Sequence, residues 1–259
     1  MQFDATNWTL SKCRAFLTRE ITMKTTLLSA AAAMLLAGSA MAQDVVRMGT
    51  EGAYPPWNFI NDSGEVDGFE RELGDELCKR AELNCEWVTN EWDSIIPNLV
   101  SGNYDVIIAG MSVTDERDEV IDFTQAYTPP DPTLYVAAGD YNGGGVVAAQ
   151  VGTIQAAYLA ELDGVTLVEF ATPDETVAAV KNGEADAVFA DSSFLMNIIE
   201  GDSDLRVVHE PVALGGGVGM GIRESDNELR DKFDAAIQSM KDDGSLNAMI
   251  EKWEVSSLW

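Results

Sequence analysis

Thr128-Pro129-Pro130-Asp131-Pro132 interrupts the chain between two stretches that each alternate strand-like with helix-like pattern, and this restricts the fold more than any other feature. Proline fixes φ and removes a backbone donor, so the segment suits neither a helix interior nor a central strand. Before the break, residues 45–50 read as a strand and residues 51–64 as a loop rich in Gly, Pro and aromatics. Asp67-Gly68-Phe69-Glu70 has the form of a capping box, and Phe69, Leu73 and Leu77 recur every fourth residue along the helix it opens. Residues 85–88 are the next expected strand. Asp93 then caps a helix with Ile95, Ile96, Leu99 and Val100 apolar, stopped at Gly102, and residues 104–109 return to strand.

The second series begins with a strand at 146–150, a helix opened by Thr153 and carrying Tyr158 and Leu162, and a strand at 165–170. Thr172-Pro173-Asp174-Glu175 is another capping box with Pro at the first helical position, and its helix ends near Gly183. A strand at 185–190 delivers Asp191 at its carboxyl end, and 205–209 is a further strand. Beyond the glycine-rich residues 214–221 come two helices. One has Leu229, Phe233, Ile237 and Met240 on a face with Gly244 behind it; the other has Leu246, Met249, Ile250 and Trp253. Such alternation predicts an α/β class with mainly parallel sheets, helices on their faces, and binding residues at the carboxyl ends of the strands. Two series on either side of a proline break predict two lobes with a cleft between them.

Residues 23–42 begin Met23-Lys24-Thr25-Thr26, are almost wholly apolar over 27–36 and end Ala40-Met41-Ala42. They read as a secretory signal peptide cleaved after Ala42, too short in its apolar part to span a membrane. Residues 1–22 carry no fold-like periodicity, and Met23 is the expected true start. Removal of the leader leaves 217 residues, enough for two lobes of roughly a hundred residues each. It also discards Cys13 and leaves Cys78 and Cys85, an even pair in an exported chain, which reads as a disulfide. The alternative is a metal or redox pair, against which stand a spacing unlike C-x-x-C and the lack of a nearby histidine. The mature chain holds 12 bases and 42 acids, a formal charge of −30, which excludes nucleic acid and anionic membrane as natural partners. The acids are spread along the chain, as on a solvated acidic surface.

The run Ala109-Gly110-Met111-Ser112-Val113-Thr114-Asp115-Glu116-Arg117 follows directly on an apolar strand. Small residues leave backbone amides approachable. Thr114 as an N-cap places Arg117 in the first turn of a short helix, where amides and a guanidinium can converge on one carboxylate. This Ser112-x-Thr114-x-x-Arg117 segment resembles that of the periplasmic amino-acid-binding proteins that serve ABC importers, the family-3 solute-binding proteins. The resemblance extends over residues 45–253 and is carried also by Gly49-Thr50-Glu51-Gly52-Ala53-Tyr54-Pro55-Pro56, Gly183-Glu184-Ala185-Asp186-Ala187 and Gly219-Met220-Gly221-Ile222-Arg223.

The resemblance implies a two-lobed type II periplasmic-binding-protein fold. Lobe one would comprise residues 43–130 and 214–259 and lobe two 131–213, after a leader of 1–42, with hinge crossings near 130–136 and 212–217. The family commonly has a disulfide at the helix-to-strand connection where Cys78 and Cys85 fall. By the same resemblance, Arg117 and the Ser112 amide take a ligand α-carboxylate, assisted by amides near Thr153 and Ile154. Asp191, with the Ser112 hydroxyl and the Gly110 carbonyl, takes the ammonium, and Ala109, Gly110 and Met111 border the site. Glu51, Tyr54, Trp57 and Trp92 are expected to read the side chain, and an aromatic wall beside a carboxylate suits a cationic one. Taken alone, Asp191-Ser192-Ser193 is a helix N-cap, and the aromatics are core residues.

The motifs are nearest to the lysine/arginine/ornithine/histidine and octopine/nopaline binders. Glu51 stands where aspartate is more common, and Ala109-Gly110 replaces a frequent Ser-Ser pair, a form found also in glutamine binders, so glutamine is the alternative ligand. An exported dehydratase on the same fold is the alternative of another class. Against it, His209 is the one histidine of the sequence, and the chain shows no G-x-S-x-G elbow, metal-ligand cluster or P-loop. A membrane-anchored sensor domain would need an anchor. The expectation is therefore a non-enzymatic, monomeric periplasmic binder without cofactor or metal, whose partners are an amino acid and the permease subunits of an importer.

Overall fold

A computed structural model of the chain describes residues 45–259. The expected leader, its cleavage point and Cys13 lie outside the described residues. Among those described, no helix is long and apolar enough to cross a membrane.

The chain starts with β1 (Val45–Thr50) and then departs from the expected loop. Residues 51–67 form a small antiparallel sheet of β2 (Ala53–Tyr54), β3 (Asn58–Ile60) and β4 (Val66–Asp67). Helix α1 (Phe69–Arg80) follows, but the capping box at its start does not form. Its N-cap is Gly68 at φ 116°, with no side-chain cap, and Glu70 is turned into the protein. A Cβ at Gly68 would lie 2.6 Å from the Trp57 carbonyl oxygen, so no capping side chain fits there. A disulfide joins Cys78 near the end of α1 to Cys85 on β5 (Asn84–Thr89). A short 3-10 turn (Trp92–Ser94) then leads into α2 (Ile95–Val100), so Asp93 lies inside that turn and the N-cap of α2 is Ser94. After β6 (Val106–Ile107) come α3 (Asp115–Asp118) and β7 (Asp122–Phe123).

The proline-rich segment carries the chain into β8 (Thr133–Ala137), a wholly buried strand that begins directly behind it, within the stretch expected to form the first hinge crossing. Then follow β9 (Gly145–Gln150), α4 (Ile154–Ala160), β10 (Val165–Phe170), α5 (Pro173–Lys181), β11 (Ala187–Asp191), α6 (Ser192–Glu200) and β12 (Arg206–Val207). The capping box of α5 is formed in full by Thr172 and Glu175. The chain returns through β13 (Gly221–Ile222) to α7 (Asn227–Asp243) and α8 (Ser245–Trp253), with Gly244 left-handed between them at φ 78°, as a chain reversal requires.

One five-stranded sheet has the order β5-β1-β6-β13-β7 and the other β10-β9-β11-β8-β12. In each, the first three strands are parallel, whereas β13 and β8 run antiparallel to their neighbours. Alternate residues fill the two faces. Val106 and Ile108 join the core under α1, α7 and α8, while Ile107 and Ala109 join the core under α2. Val136, Ala148 and Val188 likewise face one way and Tyr135, Val147 and Phe189 the other. Sheets covered on both faces need strands apolar on both, which is why these strands read as continuous apolar runs. The chain passes between the sheets twice, and the two passages run side by side through the bridges Thr128–Val218 and Thr133–Val212.

Candidate functional site

The carboxyl ends of β1, β6, β9 and β11 deliver Glu51, Ala109, Gln150 and Asp191 to a single pocket. Thr114 caps α3, its hydroxyl accepting from the Arg117 amide at 3.2 Å, and this local turn aims the Arg117 side chain inward. The guanidinium donates to the carbonyls of Ser112 at 2.9 Å and Gly152 at 3.3 Å and lies 5.4 Å over the Trp92 ring. Its enclosure lowers the pKa to about 10, opposed by the charges of Asp191 and Glu116. A guanidinium spent on carbonyls and a ring keeps donors for an anion.

Asp191 faces it. Tyr54 donates its hydroxyl to Asp191 Oδ2 at 2.9 Å, and Gln155 donates its amide to Oδ1 at 2.6 Å. Burial pushes the Asp191 carboxyl up, the charge of Asp131 adds to the shift, and the two hydrogen bonds and Arg117 oppose it. Asp131 sits behind, also raised by burial, and accepts from the Ser193 amide at 3.0 Å and hydroxyl at 2.6 Å.

The third charge is Glu51. Gln150 donates to its Oε1 at 2.6 Å and to the Ala171 carbonyl at 3.1 Å. Burial raises the Glu51 carboxyl to about 7, the Gln150 hydrogen bond opposes this, and the charges of Glu70 and Asp174 add to it. One cation and two acids thus share an enclosed space whose walls are Tyr54, stacked on Phe194 at 4.6 Å, and Trp92, whose indole donates to the Gly152 carbonyl at 3.3 Å. Buried acids without a full complement of positive partners favour a cationic guest.

Residues 46–256 match the bacterial extracellular solute-binding proteins, family 3. The chain belongs to that family. This solute-binding protein is 32% identical to the octopine-binding periplasmic protein of Rhizobium meliloti over 86% of its own length and 95% of the relative's. It is 31% identical to the lysine/arginine/ornithine-binding periplasmic protein of Escherichia coli, over 81% and 87% of the two chains. Among solved structures, a periplasmic His/Glu/Gln/Arg/opine family-binding protein of Silicibacter pomeroyi in complex with lysine superposes with a TM-score of 0.81. It shares 70% identity, over 83% of this chain and all of that one. The solute-binding protein thus has the expected α/β, type II periplasmic-binding-protein fold.

Of the residues singled out in the sequence, Glu51, Tyr54, Trp92, Ala109, Gly110, Ser112, Arg117, Thr153, Ile154 and Asp191 all line this pocket. Trp57 and Met111 stand behind it. Trp57 is 1% exposed, packs edge-on to Phe69 and donates its indole to the Ser193 hydroxyl at 2.7 Å; Met111 is fully buried in the core under α2. The solute-binding protein adds Gln150, Gln155, Pro173, Thr176, Phe189 and Ala190 to the lining, none of which the sequence assigns to the ligand site. Gln150 was accessible in principle, because it is the last residue of β9 and occupies the carboxyl-end position that draws attention to Asp191 on β11.

Proposed function

We propose that this protein captures an α-amino acid with a cationic side chain, such as arginine, lysine, ornithine, histidine or an opine derived from arginine, and delivers it to the permease subunits of an ABC importer. Arg117 and the Ser112 amide take the α-carboxylate, with the amides at Thr153 and Ile154 assisting. Asp191, held by Tyr54 and Gln155, takes the α-ammonium, and Glu51 takes the side-chain cation. The carrying observation is the charge pattern of the pocket, one guanidinium bonded to carbonyls against two enclosed acids, Asp191 and Glu51. Those three charges match arginine, lysine or ornithine, each bearing one carboxylate and two cationic groups; an arginine-derived opine keeps both cations and adds a carboxylate. The names of the relatives support the same class.

The protein acts in this reading as a binder without turnover, as a monomer in the periplasm after cleavage behind Ala42. Residues 43–130 with 214–259 form one lobe and 131–213 the other. A thermal-shift screen of the common amino acids with octopine and nopaline tests the proposal, since a ligand specific to the folded state raises the midpoint by mass action. L-arginine, L-lysine or an arginine-derived opine is expected to give the largest shift. A best response to glutamine or an aliphatic amino acid, or chemical conversion of the bound ligand, overturns it.

A further inference from the structure

Glu70 is completely buried at the start of α1, and donors from three separate segments of the chain meet on its carboxylate. Oε1 accepts from the Gly110 amide at 2.6 Å and from the Tyr127 hydroxyl; Oε2 accepts from the Asn58 side-chain amide at 2.7 Å. The carbonyl oxygen of that same Asn58 side chain accepts from the Gly52 amide at 2.7 Å. Both backbone amides at the ends of this network belong to glycines in the left-handed region, Gly52 at φ 76° and Gly110 at φ 62°. Gly110 borders the pocket directly and Gly52 follows Glu51. Two turns of the pocket wall therefore end on one acid that never reaches the ligand.

Enclosing a carboxylate is costly, and burial raises this one while its three hydrogen bonds oppose the shift. All three partners are neutral donors, and an ionised carboxylate is an acceptor that takes all of them without conflict. We propose that Glu70 is a positioning residue, which sets the Gly110 turn directly and the Glu51-Gly52 turn through Asn58 and so preforms the wall that reads the ligand. This rests on the reading of Glu51 and Gly110 as parts of the amino-acid site.

The chemistry of the network supplies its own test. In Glu70→Gln the amide oxygen still serves Gly110 and Tyr127, but the new NH2 meets the NH2 of Asn58. Asn58 then either loses its partner or flips and abandons Gly52. The exchanged pair Asn58→Asp with Glu70→Gln restores an acceptor for both the new side-chain amide and the Gly52 backbone amide. Calorimetry with L-arginine and L-glutamine is run on the three proteins, with amide proton resonances of Gly52 and Gly110 recorded without ligand. Glu70→Gln is expected to lose about tenfold or more in L-arginine affinity and to narrow the preference over L-glutamine. Its Gly52 amide resonance should move upfield while that of Gly110 moves less.

The double variant should recover to within about threefold of wild type and return the Gly52 resonance. Should the single variant fail to fold, recovery of folding, binding and resonance in the double variant supports the role equally. Wild-type affinity and selectivity in Glu70→Gln, or a double variant no better than the single one, overturns it. If wild-type protein binds neither L-arginine nor L-lysine, the cationic reading fails by itself. The two amide resonances then decide on Glu70 alone, the same pattern supporting it and unmoved resonances overturning it.

Discussion

Gln150 donates its side-chain amide to Glu51 Oε1 at 2.6 Å, tying the end of β9 to the loop behind β1 across the pocket. Gln150 thereby neutralises none of the Glu51 charge but fixes its direction, and the acid keeps an oxygen for a ligand. Glu51→Gln is expected to weaken L-arginine by at least about 1.5 kcal/mol, roughly tenfold, while leaving the fold intact. Isothermal calorimetry measures it, and an unchanged affinity would separate Glu51 from side-chain recognition.

Arg117→Ala is expected to abolish detectable binding at ordinary ligand concentrations. Loss of a charge-assisted contact in a closed cleft costs about 3 to 5 kcal/mol. Circular dichroism should remain that of the wild type, because among the described residues the guanidinium bonds the Ser112 and Gly152 carbonyls and lies over the Trp92 ring, and no core packing is lost with it. An affinity within about threefold of wild type would remove Arg117 from the carboxylate site.

Binding should strengthen with pH. Glu51 is raised from 4.5 to about 7 and Asp191 is raised by burial as well, so between those limits the ligand-free folded state holds more protons than the unfolded one. For these acids, stability without ligand falls as pH rises through that window. A cationic ligand favours their ionised forms and expels the protons. L-arginine affinity is therefore expected to be at least about tenfold weaker near pH 5.5 than near pH 8, with proton release visible as a buffer-dependent enthalpy near pH 7. Constant affinity over that range would mean that neither acid meets the ligand cation.

Closure should accompany binding. Tyr54 to Asp191, Trp92 to Gly152 and Glu51 to Gln150 all join residues before the proline break to residues after it, so the structure has the cleft shut. Without ligand, buried acids and an anion-free guanidinium oppose this arrangement, and the two adjacent passages between the sheets offer the hinge. Small-angle scattering should show a smaller radius of gyration with saturating L-arginine. Identical profiles in both states would contradict the hinge.

The sequence by itself determined the features that depend on neighbours three or four residues apart. Thr114 before Arg117, Thr153 before α4 and Thr172 with Glu175 at α5 satisfy local amides, and each cap is formed as its spacing predicts. Apolar strand runs likewise announce sheets covered on both faces, and the alternation of elements announces the class. The tertiary structure decided everything that depends on partners far along the chain. Asp67-Gly68-Phe69-Glu70 has the spacing of a cap, yet Asn58, Gly110 and Tyr127 offer Glu70 three donors in the buried interior, while the Phe69 and Glu70 amides are taken by the Pro56 and Trp57 carbonyls. Trp57 has the same aromatic character as Trp92, and only the packing of Phe69 and Ser193 puts it behind the wall. Gln150 and Glu51 are 99 positions apart, and their meeting requires the passage from the first sheet to the second, which no local periodicity encodes.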